Sequence, residues 1–596
     1  MCILLFLVAC GPTPRRDLTD FERQTDMYWL FSQFEHNYAP LEYKQNLWQF
    51  DYEQHKQATL TKAQKSQSST NDDFYLAAHA FVAKFADAHT RAQLTPASLP
   101  ARARIAYLGF TGLRKGDGFV VTDFLPTYKL DPNSLAQFPI KKNDVILSID
   151  GKDLKQAYLD DLKTYMNLGN EEANFTAFFG TLFQRTSLYA PMPTELTAEI
   201  KVKRGEDEYV YHLPWVTKDL YVFNDEQNKA INKDKPATAN TSEDIQIDSV
   251  KAFHMKCFDQ RGLFSYRQCP EARNFLRNHA EFNFWDTFKR PEMKMQWQVS
   301  STDSEGKIVS AVTDPLKGLK EKRYVPADAI FIPQSATFPA YITRQKDEND
   351  QYHIVGVIYL DTFSPSTGEP EVLKEFKATL KSFKNMGIKK LVIDTVDNGG
   401  GSLILGMGLA QYLSAQPIDM PSMQFRLSET WIDQFERDSL FGLNDTTKEL
   451  NLRVFQALRD DQDRGDWLSR KFKATALTTK ALEVNKDLKD HSFETVLLIN
   501  ETCASMCDIF AGILQDNGLA KVMGVQSMGA GGNVVMHGVA PNTGLLVSQT
   551  ESLIVRSNGE YLENNGVKPD IPFTTNESAV TKYDAVVKEA FKQVLK

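Results

Sequence analysis

No apolar run in this chain approaches the ~18 residues that a membrane-crossing helix requires. Positive charge is not in excess: 68 Lys and Arg stand against 77 Asp and Glu, for a net charge of −9 and a pI near 5.7. A basic footprint for nucleic acid is therefore missing, and that class of partner is set aside. Cysteine is scarce, with 6 in 596 residues, and nowhere do Cys and His take the spacing of a zinc site. No metal and no organic cofactor is expected. Internal repeats of solenoid length are absent too. What is present is ordinary globular composition, 42% apolar and 24% charged, in a chain long enough for several domains.

The N-terminus reads "MCILLFLVACGPTP". Its apolar run ends in Leu7-Val8-Ala9-Cys10-Gly11, a small-residue pattern that resembles a bacterial lipoprotein cleavage box. Residues 1–10 are expected to be a signal peptide, with Cys10 lipidated and "GPTP" acting as a tether. Glycine rather than aspartate after the cysteine favours an outer-membrane anchor facing the periplasm. The expected location is the bacterial cell envelope, where Cys257 and Cys269 would suit a local disulfide.

Residues 20–100 read as a helical region. In "NDDFYLAAHAFVAKFADAHT", Phe74, Ala77, Ala78, Phe81, Val82 and Phe85 make one apolar face that ends before His89. Residues 101–215 switch to strand patterns, from "RIAYLGFTGL" and "GFVVTDF" to the hairpin "TAEIKVKRGEDEYVYHLPW". This block resembles a PDZ domain. "YLGF" matches the loop that binds a peptide's C-terminal carboxylate, through Leu108, Gly109 and Phe110, and "IKKNDVILSIDGKDL" matches the segment around the characteristic Gly-Asp, here Asn143-Asp144. Residues 216–345 give no functional reading and are treated as an insertion or linker. Over 346–596 strands alternate with helices, which argues for a mainly parallel sheet covered by helices.

Two turns in that last region carry chemistry. "LLINETCASMCDIFAGILQDNG" runs a strand through a small-residue turn into a helix, placing Ser505 at a helix start where the amide of Met506 can face an oxyanion. "DNGGGS" brings Gly399, Gly400 and Gly401 close before another helix, and the amide of Gly400 or Gly401 offers a second donor. Either feature alone is ordinarily just a cap or a turn.

In this order, with "GEYLENNGVKPDIPF" closing the chain, they resemble the C-terminal processing (tail-specific) serine peptidases, over about 340–580 plus the PDZ-like block and "DAHT". The resemblance implies a crotonase/ClpP-like α/β core with Ser505 as nucleophile. "VIDTVDNGGG" matches the glycine oxyanion motif but has Val396 where an arginine is usual. Many relatives pair the serine with a lysine in a later turn; here that turn is "SMGAGG" and the position is Ala530. A dyad through Ala530 cannot operate. Another branch, which resembles the tricorn core and the chlamydial secreted protease, uses Ser–His–Glu. Its histidine and glutamate match His89, in Asp87-Ala88-His89-Thr90, and Glu563.

The expected protein is thus an exported serine endopeptidase, with Ser505, His89 and Glu563 as the triad and Met506 with Gly400 or Gly401 as oxyanion donors. Its partners would be protein or peptide C-termini held by the PDZ-like domain, with homo-oligomers open. His537 is the rival base, and Asp508 reads as a first-turn helix acid. Cys503 and Cys507 are expected to be free thiols, because residues four apart on a regular helix hold their Cβ atoms too far apart to bridge and a bridge would constrain the turn at Ser505; Cys503 reads as lying in the turn before the helix, where its geometry is less fixed and a bridge stays open. Alternatives are a vestigial peptide-binding scaffold of the envelope and an acyl-CoA enzyme of the same superfold.

Overall fold

The computed structural model describes residues 18–64, 71–93, 103–124, 138–220, 316–333, 337–365, 368–442, 444–479, 482–574 and 583–596. The lipoprotein-type box with Cys10, the Cys257–Cys269 pair and most of 216–345 lie outside them.

Four helices open the chain: α1 (Asp20–Asn37), α2 (Leu41–Trp48), α3 (Tyr52–Gln64) and α4 (Asp72–Ala83). Thr19 caps α1 and Glu22 reciprocates, so two free N-terminal donors are satisfied at once. Asn71 stands at the start of α4, but its Oδ1 accepts from Leu18 N–H at 3.0 Å rather than from its own helix. The apolar face of α4 packs as its periodicity requires, Phe81 and Phe85 meeting Phe34 with centroids 5.0 and 4.6 Å apart. The hairpin residues Ala540, Leu545 and Val547 complete this core.

Next comes a β-rich unit. "RIAYLGFTGL" forms two strands, Ala103–Tyr107 and Phe110–Lys115, broken at Leu108-Gly109, where Gly109 takes φ 98°. Phe110–Lys115 lies at one edge of a sheet that continues through Gly118–Phe124, Val145–Ile149, Thr197–Arg204 and Asp207–Pro214. The helices Leu154–Asp161 and Glu171–Phe178 cover it. Its core is not self-contained: Ala88, Ala504, Met528 and Ala530 are buried in the same cluster.

The last unit is built on a seven-stranded sheet in the order Ile330–Phe331, Ala340–Lys346, Tyr352–Tyr359, Lys390–Asp394, Glu494–Ile499, Lys521–Gly524, Ile571–Pro572. Pairings from Tyr352–Tyr359 onward are parallel, as the alternation of strands and helices predicts. Strand alternation sorts the side chains. Leu391 and Ile393 face the helices Glu369–Asn385, Leu403–Tyr412 and Met506–Asp516, while Val392 faces the C-terminal helix Asp584–Leu595. Both faces are therefore dry, and the loops at the strands' carboxyl ends are left to carry function.

Candidate active site

Ser505 sits at the carboxyl end of the central strand Glu494–Ile499, immediately before the helix Met506–Asp516. Its backbone has φ 56° and ψ −121°, a conformation L-residues rarely adopt and one that recurs at serine nucleophiles set on a sharp strand-to-helix turn. The turn holds because Ser505 N–H donates to Ala530 O at 2.8 Å and Ala504 N–H to Asn398 O at 3.3 Å. Ser505 is half-buried, and Met506 N–H, at the first helical position, has no acceptor among the described residues.

The expectation of free thiols does not hold: Cys503 and Cys507 form a disulfide with Cα atoms 5.2 Å apart. Cys503 precedes the helix, so the spacing of a regular helix does not apply, and the turn at Ser505 folds Cys503 back onto Cys507. The bridge straddles the serine.

The glycine turn lies against this site. A Cβ on Gly400 would stand 2.6 Å from Ser505 Cβ and 2.8 Å from Met506 N. Gly400 N–H, however, donates to Asn398 Oδ1 at 2.8 Å. Of the two glycine donors expected from sequence, Gly401 is the one whose amide has no acceptor among the described residues. An arginine does reach this turn, from elsewhere in the chain. Buried Arg323 donates to Val396 O at 2.6 Å and to Asp394 Oδ2 at 3.2 Å, with its guanidinium 4.5 Å from the Tyr583 ring centroid. Tyr583 in turn donates to Asp397 Oδ1.

The loop Ser527–Asn533 joins the scattered site residues. Its Ala530 receives the Ser505 amide, Gly529 O accepts from Asn564 N–H at 2.8 Å, and the carbonyl of Gly532 faces the His89 ring. Asp508 anchors the loop, accepting from Gly529 N–H at 3.1 Å and Ala530 N–H at 3.0 Å. Burial pushes the Asp508 carboxyl up to about 6, against these hydrogen bonds and that of Ser527. Its role is to fix the loop, beyond the helix-acid reading.

His89 lies just past α4, its amide donating to Asp87 Oδ1 at 2.8 Å. Burial pushes the imidazole down to about 4, with Asp87 opposing, so the ring is neutral at pH 7. Asp87 also accepts from Tyr38 Oη and Thr90 Oγ1, each at 2.9 Å. Burial alone would raise its pKa, but the charges of Lys44 and His89 and hydrogen bonds from the His89 amide and Thr550 hold it below the usual carboxylate range. Glu563 is buried and pairs at 2.6 Å with Lys44 Nζ from α2, not with His89. Burial and the charge of Asp87 push Glu563 up to about 8, against Lys44. None of the described hydrogen bonds joins Ser505 Oγ, His89 and Glu563 to one another. Two of the buried polar atoms left without a partner are His89 Nδ1 and Glu563 Oε2, the pair a His–Glu link would join.

The rival base, His537, is 2.5 Å from Glu551 Oε1, a close contact not aligned as a hydrogen bond. Lys44 and Arg323 carry no sequence signal, since each is a single cation brought to the site only by packing. Asp87 lies in the same "DAHT" segment as His89, but nothing in its spacing signals its part in the site.

Comparison with known proteins agrees with this architecture. Residues 354–573 match the model of Peptidase family S41. An uncharacterized protein of Chlamydia muridarum (strain MoPn / Nigg) is 25% identical over 526 residues, covering 82% of this chain and 79% of its own. A probable CtpA-like serine protease of Staphylococcus aureus (strain COL) is 27% identical over 224 residues, 37% of this chain and 34% of its own. The crystal structure of mature CPAF matches with a TM-score of 0.64 at 19% identity, covering 96% of this chain and 98% of that one. The fold and site define a serine peptidase, acting on protein substrates. Within that class, residues 354–573 form an S41 peptidase core, and the chain is similar there to CtpA-like serine proteases.

Proposed function

We propose that the chain is an envelope serine endopeptidase working through Ser505, His89 and Glu563, with substrates selected by a PDZ-like domain. Ser505 Oγ attacks the scissile carbonyl while His89 takes its proton. The imidazolium then protonates the leaving amine, and water, deprotonated by the same ring, releases the acyl group. The amides of Met506 and Gly401 receive the oxyanion, and Glu563 orients His89. The observation that carries this reading is the backbone of Ser505, held at φ 56° beside an unengaged helix-start amide. A neutral buried imidazole and the partnerless atoms His89 Nδ1 and Glu563 Oε2 support the base and its partner.

For substrate choice, the strand after "YLGF" is an edge strand, open to pairing with a peptide. Leu108 N–H is given to Phe183 O at 3.0 Å, while Gly109 N–H has no acceptor among the described residues. The lipoprotein-type box ending at Cys10 supports anchoring in the envelope; fatty-acid labelling lost in Cys10→Ala tests that part. The catalytic part is tested by hydrolysis of an unfolded protein substrate. His89→Ala and Ser505→Ala should each lose activity on the order of 10⁴-fold, and non-additively when combined. The Lys44–Glu563 pairing favours a second reading, a scaffold without turnover. An inactive wild-type protein that still binds peptide C-termini would select it.

A further inference from the structure

Lys44 is fully buried on α2, and each of its contacts belongs to a segment that carries a triad residue. Its ammonium donates to Glu563 Oε1 at 2.6 Å, to Asn564 Oδ1, and to Ala86 O at 3.1 Å. Ala86 and Asn564 both have positive φ, 51° and 58°, and Asn564 Nδ2 also donates to Ala86 O at 2.8 Å. Tyr43, the neighbour of Lys44 on α2, donates to Glu563 O at 3.0 Å. One short helix thus clamps the turn before His89 to the turn bearing Glu563. A buried ammonium is costly unless paired. Here it faces two buried carboxylates, Glu563 and Asp87, which would otherwise repel each other.

We infer that Lys44 is a positioning residue for the reaction: it fixes Glu563 beside the His89 segment and offsets the carboxylate's charge, so that Glu563 can serve His89 as an anion. The inference rests on the triad reading. Glu563 feels Lys44 and Tyr43 from α2, Tyr38 from the end of α1, Asp87 from the His89 segment, and Asp508 from the helix after Ser505. Lys44 is the cation among these. With Lys44 in place Glu563 is still pushed up to about 8, so the anion grows in towards that pH, and without Lys44 it should ionise only at still higher pH.

The test is the rate at which a fluorophosphonate labels Ser505 as a function of pH, read by intact mass on the full chain. Lys44→Met is expected to slow labelling at pH 7 about tenfold or more and to move the profile's midpoint to higher pH. In a Glu563→Gln background the same change should cost less than about twofold, because Lys44 then has no anion to position. If Lys44→Met alone does not fold, the neutral pair Lys44→Met/Glu563→Gln carries the test and should label like Glu563→Gln. An unchanged rate and midpoint in folded Lys44→Met, with Glu563→Gln slowed, overturns the role of Lys44 and leaves the triad standing. A further tenfold loss in the double variant also overturns it. Wild-type labelling by Glu563→Gln brings down the triad reading and this inference together.

Discussion

Gly400 and Ser505 are in backbone contact: a methyl group on Gly400 would lie 2.6 Å from Ser505 Cβ, and its φ of 102° is one that L side chains rarely adopt. No side chain other than hydrogen fits there. Gly400→Ala is therefore expected to push the serine turn away from the glycine turn and spoil the oxyanion site. The chain should remain folded and lose about 10²-fold or more in kcat/KM, the scale of losing an oxyanion donor. Peptidase assays with a circular-dichroism control check this; Gly387→Ala, also at positive φ but with open space around its would-be Cβ, is the comparison expected to keep full activity.

The Cys503–Cys507 bridge closes a loop around the nucleophile. Chain-entropy arguments assign so short a loop a stabilisation of only about 2 kcal/mol, so its influence should be local. Reduction is expected to lower turnover by loosening the turn at Ser505 while moving Tm by a few degrees. Alkylation with and without prior reduction, read by mass spectrometry beside activity, checks both. Free thiols in protein isolated under oxidising conditions would contradict the bridge.

Arg323 supplies from a distant segment the guanidinium that Val396 does not. Removing it leaves Asp394 buried without its cation, which commonly costs about 3–5 kcal/mol. Arg323→Met should lower Tm and slow catalysis, since the same turn leads into Gly399–Gly401. Arg323→Lys should recover little, because one ammonium cannot reach Val396 O and Asp394 together and stack on Tyr583. Differential scanning calorimetry with activity on the same samples decides this.

His79 and His89 are both pushed down to about 4 by burial. Each is neutral in the folded chain and would take up a proton more readily when unfolded, near pH 6.5. Their contribution is present above pH 6.5 and is lost as pH falls towards 4. Glu563, raised to about 8, works in the other direction, favouring the fold below pH 4.5 and losing that contribution as pH rises through 8. Asp508, raised to about 6, acts in the same direction as Glu563, so across pH 4–6.5 two histidines stand against two carboxylates, and His79→Phe should make the urea midpoint fall less with acidity than the wild type's does. An unchanged slope in His79→Phe would mean that histidine does not titrate with unfolding.

Much of the scaffold was legible because local pattern decides it. The period of Phe74 to Phe85 marks α4, the alternation over 346–596 a mainly parallel sheet, and the glycines of "DNGGGS" a turn before a helix. Legibility failed where distant segments meet. Nothing in "LEYKQN" marks Lys44 as the partner of Glu563, 519 residues away, and nothing ties Arg323 to Val396. The disulfide was misjudged for a different reason. Cys503 stands in the turn before the helix, where spacing alone leaves its geometry open, and the bridge is accommodated by a serine turn that it was expected to constrain.

The central claim is that Ser505 is a nucleophile activated by His89. Intact-mass labelling with a fluorophosphonate, followed by mapping of the modified peptide, tests it most directly. One adduct per chain is expected on Ser505, none in Ser505→Ala, with labelling slowed at least about 10²-fold in His89→Ala but not in His537→Ala. Undiminished labelling in Ser505→Ala or His89→Ala, or loss in His537→Ala instead, would contradict it.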